Sequence, residues 1–211
     1  MRLLSFLALV VLPACATGHV EEPSYSLRLR DGAFQVREYV PTITAEIVLK
    51  GDASETRFAG FGPLADYIFA KGREGEKIAM TAPVTQTPRE TIAMTAPVSQ
   101  QKAASGEWSV AFTMPEGYTL ASLPKPVNSD VKLVEYPART MAVLSFSGVA
   151  TDREMEAMRR ELMTKVSAAS MRPLGEPVFA FYDPPWIPSF LRRNEVMVEV
   201  VSGAPDGVSE K

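Results

Sequence analysis

From Tyr25 onward the apolar positions follow period two, then period three to four, then period two again, and the same order then recurs. Tyr25–Leu29, Phe34–Tyr39 and Ile43–Leu49 are short segments rich in β-branched and aromatic residues, with Asp31-Gly32 as a turn signal between the first two. They predict strands. Asp52 or Ser54 can cap a helix reaching about Ala70, with Phe58, Phe61, Leu64 or Ala65, and Ile68 expected on its apolar face. Gly60, Gly62 and Pro63 are expected to weaken or kink its first half. Strands around Ile78–Val84, Ile92–Val98 and Trp108–Met114 follow. The second run predicts strands at Val131–Tyr136 and Thr140–Ser147, a helix from Thr151, and strands near Val178–Tyr182 and Glu195–Val201. That helix is the clearest element: Thr151 and Glu154 make a capping box, and Met155, Met158, Leu162 and Val166 form an apolar stripe.

An ungapped offset of 97 lays the first run on the second, with Glu38-Tyr39 on Glu135-Tyr136, Ala45 on Ala142, Gly51 on Gly148 and Ser54 on Thr151. The helix faces are expected to stay in phase, Phe58 on Met155 and Phe61 on Met158. The expected fold class is α+β: a distorted β-barrel of two β-rich halves related by a pseudo-twofold axis, each carrying one α-helix. Such a pairing leaves an apolar cleft where helix meets curved sheet. A sharper repeat is local. Ile78-Ala79-Met80-Thr81-Ala82-Pro83-Val84 recurs fourteen residues on as Ile92-Ala93-Met94-Thr95-Ala96-Pro97-Val98. Joined through Thr87-Pro88-Arg89-Glu90, the two copies predict an edge hairpin, since each proline forbids a ladder bond at its position. Either the hairpin is structural or Met80 and Met94 line a ligand cleft.

Composition narrows the function. A formal net charge of −3 without any basic tract argues against a nucleic-acid binder. With one cysteine and one histidine, no intrachain disulfide framework and no zinc site of the usual ligand sets can form. The N-terminus reads as an address: Arg2 precedes a short apolar run to Leu12, which fits the h-region of a secretory signal and is too short to span a bilayer. Leu12-Pro13-Ala14-Cys15 then resembles a bacterial lipobox, with the only cysteine at the acylated position. A plain signal peptide cut nearby is the alternative. The expected organisation is a lipoprotein-type signal over 1–14, a tether over 15–23, one domain over 24–202 and a tail over 203–211. Ala16 after the cysteine is not the aspartate that signals inner-membrane retention. An outer-membrane anchor facing the periplasm is therefore expected in a Gram-negative host.

Several motifs then occur in order. They are Lys77-Ile78-Ala79-Met80-Thr81-Ala82-Pro83-Val84, Phe112-Thr113-Met114-Pro115, Leu123-Pro124-Lys125-Pro126 and Phe146-Ser147-Gly148. Tyr182-Asp183-Pro184-Pro185-Trp186 and Leu191-Arg192-Arg193-Asn194-Glu195-Val196 complete the series. Together they resemble the SOUL haem-binding protein family over roughly Tyr25 to Val201. The resemblance implies a distorted barrel of duplicated halves with two helices, and binding of haem or another tetrapyrrole. Related duplicated domains serve as small-molecule effector-binding modules in transcription regulators.

For this chain the resemblance places the cleft by the first helix, at Phe58, Phe61, Leu64 and Ile68. Arg57, Lys71, Arg73 and Lys77 are the cations available to haem propionates, while Asp66 opposes an anionic ligand. Residues such as Phe58, Phe61 and Ile68 are more often plain core, and residues such as Arg57 and Lys71 more often solvated surface. An axial histidine is proposed for some members. Here the sole histidine, His19, lies in the tether, so a ligand in the body would be Tyr or Met. The expected mode is burial of the macrocycle without axial histidine and with no other metal. Arg192, Arg193 and Glu195 are expected to fix the Pro-rich loop by ion pairs. No enzyme is expected, because the body offers no histidine for a nucleophile triad and no Gly-rich phosphate loop. A binding module for other apolar or amphipathic small molecules is the alternative.

Overall fold

The structure, a computed structural model, describes residues 21–72, 74–88 and 107–202. Cys15, His19, Arg73 and the second repeat copy with Met94 lie outside them. The described chain runs β1 (Tyr25–Asp31), β2 (Phe34–Tyr39), β3 (Thr42–Lys50), α1 (Ala53–Ile68), β4 (Val84–Pro88) and β5 (Glu107–Thr113). It continues with β6 (Lys132–Tyr136), β7 (Arg139–Phe146), α2 (Asp152–Ala168), β8 (Met171–Phe181) and β9 (Asn194–Ser202). All nine strands form one sheet in the order β1-β2-β7-β9-β8-β4-β5-β3-β6, and every pairing is antiparallel.

The sheet is curled but open: among the described residues β1 and β6 are its two edges and do not pair, so the expected barrel is not closed. The first run's β2 pairs with the second run's β7, and its β3 pairs with the second run's β6. Tyr39 lies opposite Arg139 and Thr42 opposite Tyr136; shifting one ladder by 97 residues reproduces the register of the other.

Alternation along each strand assigns the two faces. Ile43, Ala45 and Ile47 of β3 join Val110 and Phe112 of β5 beneath Leu64, Tyr67 and Ile68 of α1. Phe34, Val36, Ala142, Leu144, Val196 and Val198 lie beneath Met155, Leu162 and Val166 of α2. Both helices therefore cover the same, convex face. The intervening residues point into the concave side.

The helix ends follow the expected chemistry with one revision. The Thr151–Glu154 capping box is present, and the carboxylate of Asp52, rather than Ser54, accepts the Glu55 N–H at 2.8 Å. The caps are thus 99 residues apart, and the helix faces slip relative to the strands. The buried stripe of α1 is Ala53, Thr56, Gly60, Leu64, Tyr67 and Ile68. Phe58 is 65% and Phe61 40% exposed, whereas Met155 is buried, so the expected Phe58–Met155 match fails.

The segment expected as the strand Ile78–Val84 is irregular up to Pro83. Its donors are used elsewhere: Ile78 N–H bonds the Ile68 carbonyl that ends α1, and Ala82 N–H bonds the Glu21 carbonyl. The strand starts at Val84 and lies at the middle of the sheet between β5 and β8, not in an edge hairpin. Pro83 precedes it and Pro88 is its last residue, so neither interrupts the ladder. β8 is longer than expected, because a register shift between Leu174 and Val178 absorbs Gly175 and Pro177.

Gly60 and Gly62 separate packing from propensity. A Cβ at Gly60 would lie 2.9 Å from Val110 Cβ, while one at Gly62 meets nothing within 4 Å. Gly62→Ala is expected to change stability by no more than about 1 kcal/mol, because the helix propensity gained is set against crowding of the new Cβ by the ring of Pro63 that follows it in α1. Gly60→Ala is expected to destabilise the fold by about 1–3 kcal/mol through overpacking against Val110. Urea midpoints of the two variants check the difference.

Candidate functional site

The concave side of the sheet encloses a cavity of about 290 Å³. Its walls carry the polar half of the strand alternation: Thr42, Thr44 and Glu46 from β3, Thr85 and Thr87 from β4, and Ser109 and Thr113 from β5. Tyr25, Tyr39, Tyr136 and Tyr182 add aromatic surface, and Met141, Leu174, Val178 and Met197 add aliphatic surface. At its floor Glu46 is 9% exposed and accepts hydrogen bonds from Thr44 Oγ1 and Tyr136 Oη, both at 2.7 Å, and from Ser109 Oγ at 3.2 Å. Among the described residues it has no ion-pair partner.

Beside the cavity lies a buried ionic network. The Arg37 guanidinium donates twice to the Glu195 carboxylate, each bond 2.8 Å long, with the two side chains 2% and 1% exposed. Tyr182 Oη and Ser145 Oγ also donate to Glu195, at 2.7 and 3.1 Å. Arg193 bridges Glu195 to Glu22 and stacks 3.7 Å from the Tyr182 ring centroid. Burial alone would raise the Glu195 carboxyl. Arg37, the Tyr182 hydroxyl and Arg193 outweigh it and hold the group below the ordinary carboxylate value. Burial and the neighbouring Glu195 charge push the Tyr182 phenol well above its ordinary range. Glu195 thus belongs to the inner network rather than the loop. The Pro-rich loop is held by Arg192, which donates to the carbonyls of Pro185 and Ile187, and by Arg193, whose backbone N–H donates to the Asp183 carboxylate at 2.6 Å.

The residues expected to form a cleft at α1 divide into three groups. Leu64 and Ile68 are 0% and 1% exposed and belong to the core beneath α1. Arg57, Phe58 and Phe61 share the helix's N-terminal half. Phe61 meets Phe112 edge-on at 5.2 Å between centroids. The Arg57 guanidinium lies 4.3 Å from the Phe181 ring centroid, and its buried Nη1 has no hydrogen-bond partner. Burial lowers its pKa, the nearby Asp152 raising it only in part. Lys71 lies just past the helix's C-terminal end, about 16 Å or more from Arg57 along the axis at 1.5 Å per residue, and Lys77 and Met80 follow on the segment that leads to β4. There Lys71 pairs with Asp66 at 3.2 Å. None of these residues lines the cavity. The cavity residues escape sequence reading because Thr42, Thr44 and Glu46 look like a solvent-facing strand edge; their alternation with Ile43, Ala45 and Ile47 is the one signal available. Among the described residues no cluster of His, Cys, Asp and Glu could hold a metal ion.

The sign of the Glu195 shift sets an acid dependence. A carboxyl held low in the folded state contributes stability that is complete above its unfolded value, and is lost as pH falls through the lower folded value. Glu195→Gln is expected to cost about 3–5 kcal/mol at pH 7, since it leaves Arg37 buried without its counter-charge. The gap between variant and wild type is expected to narrow as pH falls below 4.5. Denaturation midpoints across that range measure both effects.

Three comparisons bear on this architecture. The C-terminal domain of EcmrR shares the fold with a TM-score of 0.56 at 12% identity, over 84% of this chain and 98% of that one. A hydrolase from Listeria innocua aligns with a TM-score of 0.52 at 11% identity, over 80% of this chain and 91% of its own. An uncharacterized conserved protein from Listeria innocua aligns at 0.54 and 13% identity, over 79% and 92%. No curated protein matches the chain. The family model described as "SOUL heme-binding protein" matches residues 20–199, and with that span the chain belongs to the SOUL haem-binding protein family.

Proposed function

We propose that the protein binds haem or another tetrapyrrole at the cell envelope, on the outer face of α1 and without an axial histidine. Family membership supports the ligand class. The observation that carries the location is Arg57, whose buried Nη1 lacks a partner beside the exposed Phe58 and half-exposed Phe61. An orphaned guanidinium nitrogen suits a carboxylate such as a haem propionate. The two rings offer apolar surface for the macrocycle at about 25 cal/mol per Å² before association costs. Lys71, at the far end of α1 from Arg57, lies too far away to act with it on one carboxylate, and its role is at most a second contact there.

The envelope address rests on Cys15 behind its apolar run. Acylation there is the proposed anchor, and no described helix is long and apolar enough to cross a membrane. Binding without turnover completes the proposal. The alternative, a module for other apolar or amphipathic small molecules, draws support from the inner cavity.

Titration followed by absorbance tests the ligand reading. Iron-free porphyrin is expected to bind nearly as well as haem, and His19→Ala to leave both unchanged. Arg57→Ala is expected to weaken both roughly tenfold, the loss of one charge-assisted hydrogen bond, and Phe61→Ala to weaken both as well. A histidine-type haem spectrum that vanishes in His19→Ala overturns the binding mode. Failure of either tetrapyrrole to bind at concentrations on the order of tens of micromolar selects the alternative module. Separately, Cys15→Ala is expected to move the protein from the membrane fraction to the soluble one. A wild-type protein that is soluble and begins at another residue rules the anchor out.

A further inference from the structure

We propose that the cavity inside the curled sheet is a second binding site, separate from the outer face of α1, for a small organic cation with an aromatic or alkyl body. The inference starts from Glu46. Its carboxylate is 9% exposed and faces a cavity of about 290 Å³, yet all three of its donors are neutral hydroxyls. A buried carboxylate is normally matched by a cation. The contrast with Glu195 is internal to this fold: that carboxylate, also on the concave side, is matched by both Arg37 and Arg193. Glu46 has no such partner among the described residues.

The rest of the wall bears the same sign. Four carboxylates, Glu22, Glu46, Glu176 and Glu199, line the cavity against one guanidinium, that of Arg139. Glu22 is engaged by Arg193, and Arg139 stacks 4.1 Å from the Tyr136 ring centroid, on the residue whose hydroxyl bonds Glu46. With Glu22 set aside, and with Glu176 exposed and close to the Arg159 charge, Glu46 and Glu199 still face one cation. The cavity therefore repels an anionic macrocycle and attracts positive charge.

Its remaining surface suits an organic cation rather than a hydrated metal ion. Tyrosine rings attract cations through their quadrupole, and Met141 and Met197 adapt to irregular apolar shapes. The volume sits at the lower end of the range for small-molecule pockets, which limits the ligand to a compact body such as an arylalkylammonium. An N–H donor on that cation would complete the Glu46 acceptor set from the side opposite the hydroxyls.

Calorimetry on the full chain tests the proposal with phenethylammonium, its neutral counterpart 2-phenylethanol and the anion 3-phenylpropionate. The cation is expected to bind roughly tenfold or more tighter than the alcohol, as one charge-assisted hydrogen bond implies, and the anion not at all. Glu46→Gln is expected to erase that preference. Ala111→Phe, which fills the cavity from β5, is expected to abolish binding of the cation. Should Glu46→Gln fail to fold, Tyr136→Phe, which removes one of the three hydroxyl donors, is expected to keep the preference. Equal binding of cation and alcohol, no cation binding at concentrations on the order of 10 mM, or an undiminished preference in folded Glu46→Gln overturns the proposal. Porphyrin titration in saturating phenethylammonium is expected to be unchanged; displacement of porphyrin would place both ligands in one site and overturn the separation. Because the tetrapyrrole variants lie on α1 and the cation variants on the concave wall, either reading can fail alone.

Discussion

Two connections of two residues shape this molecule. Val40-Pro41 joins β2 to β3, and Pro137-Ala138 joins β6 to β7, yet each pair of strands is six places apart in the sheet. Laid flat, six inter-strand steps would separate them by about 29 Å, whereas the three peptide links from Tyr39 to Thr42 reach about 11 Å at most. The sheet must curl until its ends approach. That curl turns one face inward around a cavity and leaves the other convex for α1 and α2. Instead of forming a hairpin with the strand that succeeds it, β2 pairs with β7 and β6 with β3, each across the two runs.

Curling also divides the chemistry. On the convex side the strands present Ile43, Ile47, Val110 and Phe112 to α1, and Val36, Leu144, Val196 and Val198 to α2, giving two apolar cores under one sheet. On the concave side the same strands present hydroxyls, tyrosines and carboxylates, and desolvation there makes every charge count. Arg37 and Glu195 neutralise one another across β2 and β9. Glu46 is left with hydroxyls. Outside, Arg57 carries the opposite imbalance, a cation without a hydrogen-bond partner on one nitrogen beside exposed aromatic rings. The protein thus has a partly buried guanidinium with one unpartnered nitrogen under its convex side and a carboxylate without a counter-charge within, and the two suit ligands of opposite sign.

Much of the secondary structure was legible, and the exceptions have physical causes. The capping box at Thr151 and the stripe of Met155, Leu162 and Val166 belong to local geometry and needed no tertiary information. Around α1 the reading was displaced, because Phe58, strongly apolar, is turned to solvent, and Phe61 sits only at the core's margin against Phe112. Gly60 takes the buried position, since α1 approaches Val110 too closely for a larger residue. The strand expected at Ile78 fails because its donors close α1 and bind the segment at Glu21. These are contacts between elements distant in sequence, which periodicity does not encode.

The sequence by itself determined the order of most strands and of both helices, the two-run arrangement at an offset of 97, the capping box at Thr151 and the family resemblance. It also determined which residues alternate along each strand, for side chains on a strand take opposite faces whatever the strand pairs with. Only the tertiary structure decided that the polar set of β3, β4 and β5 points into a cavity rather than into solvent. That outcome depends on β2 and β6 crossing to the other run, which brings the sheet's ends together. Alternation separates two faces; closure of the curve chooses which of them becomes the inside.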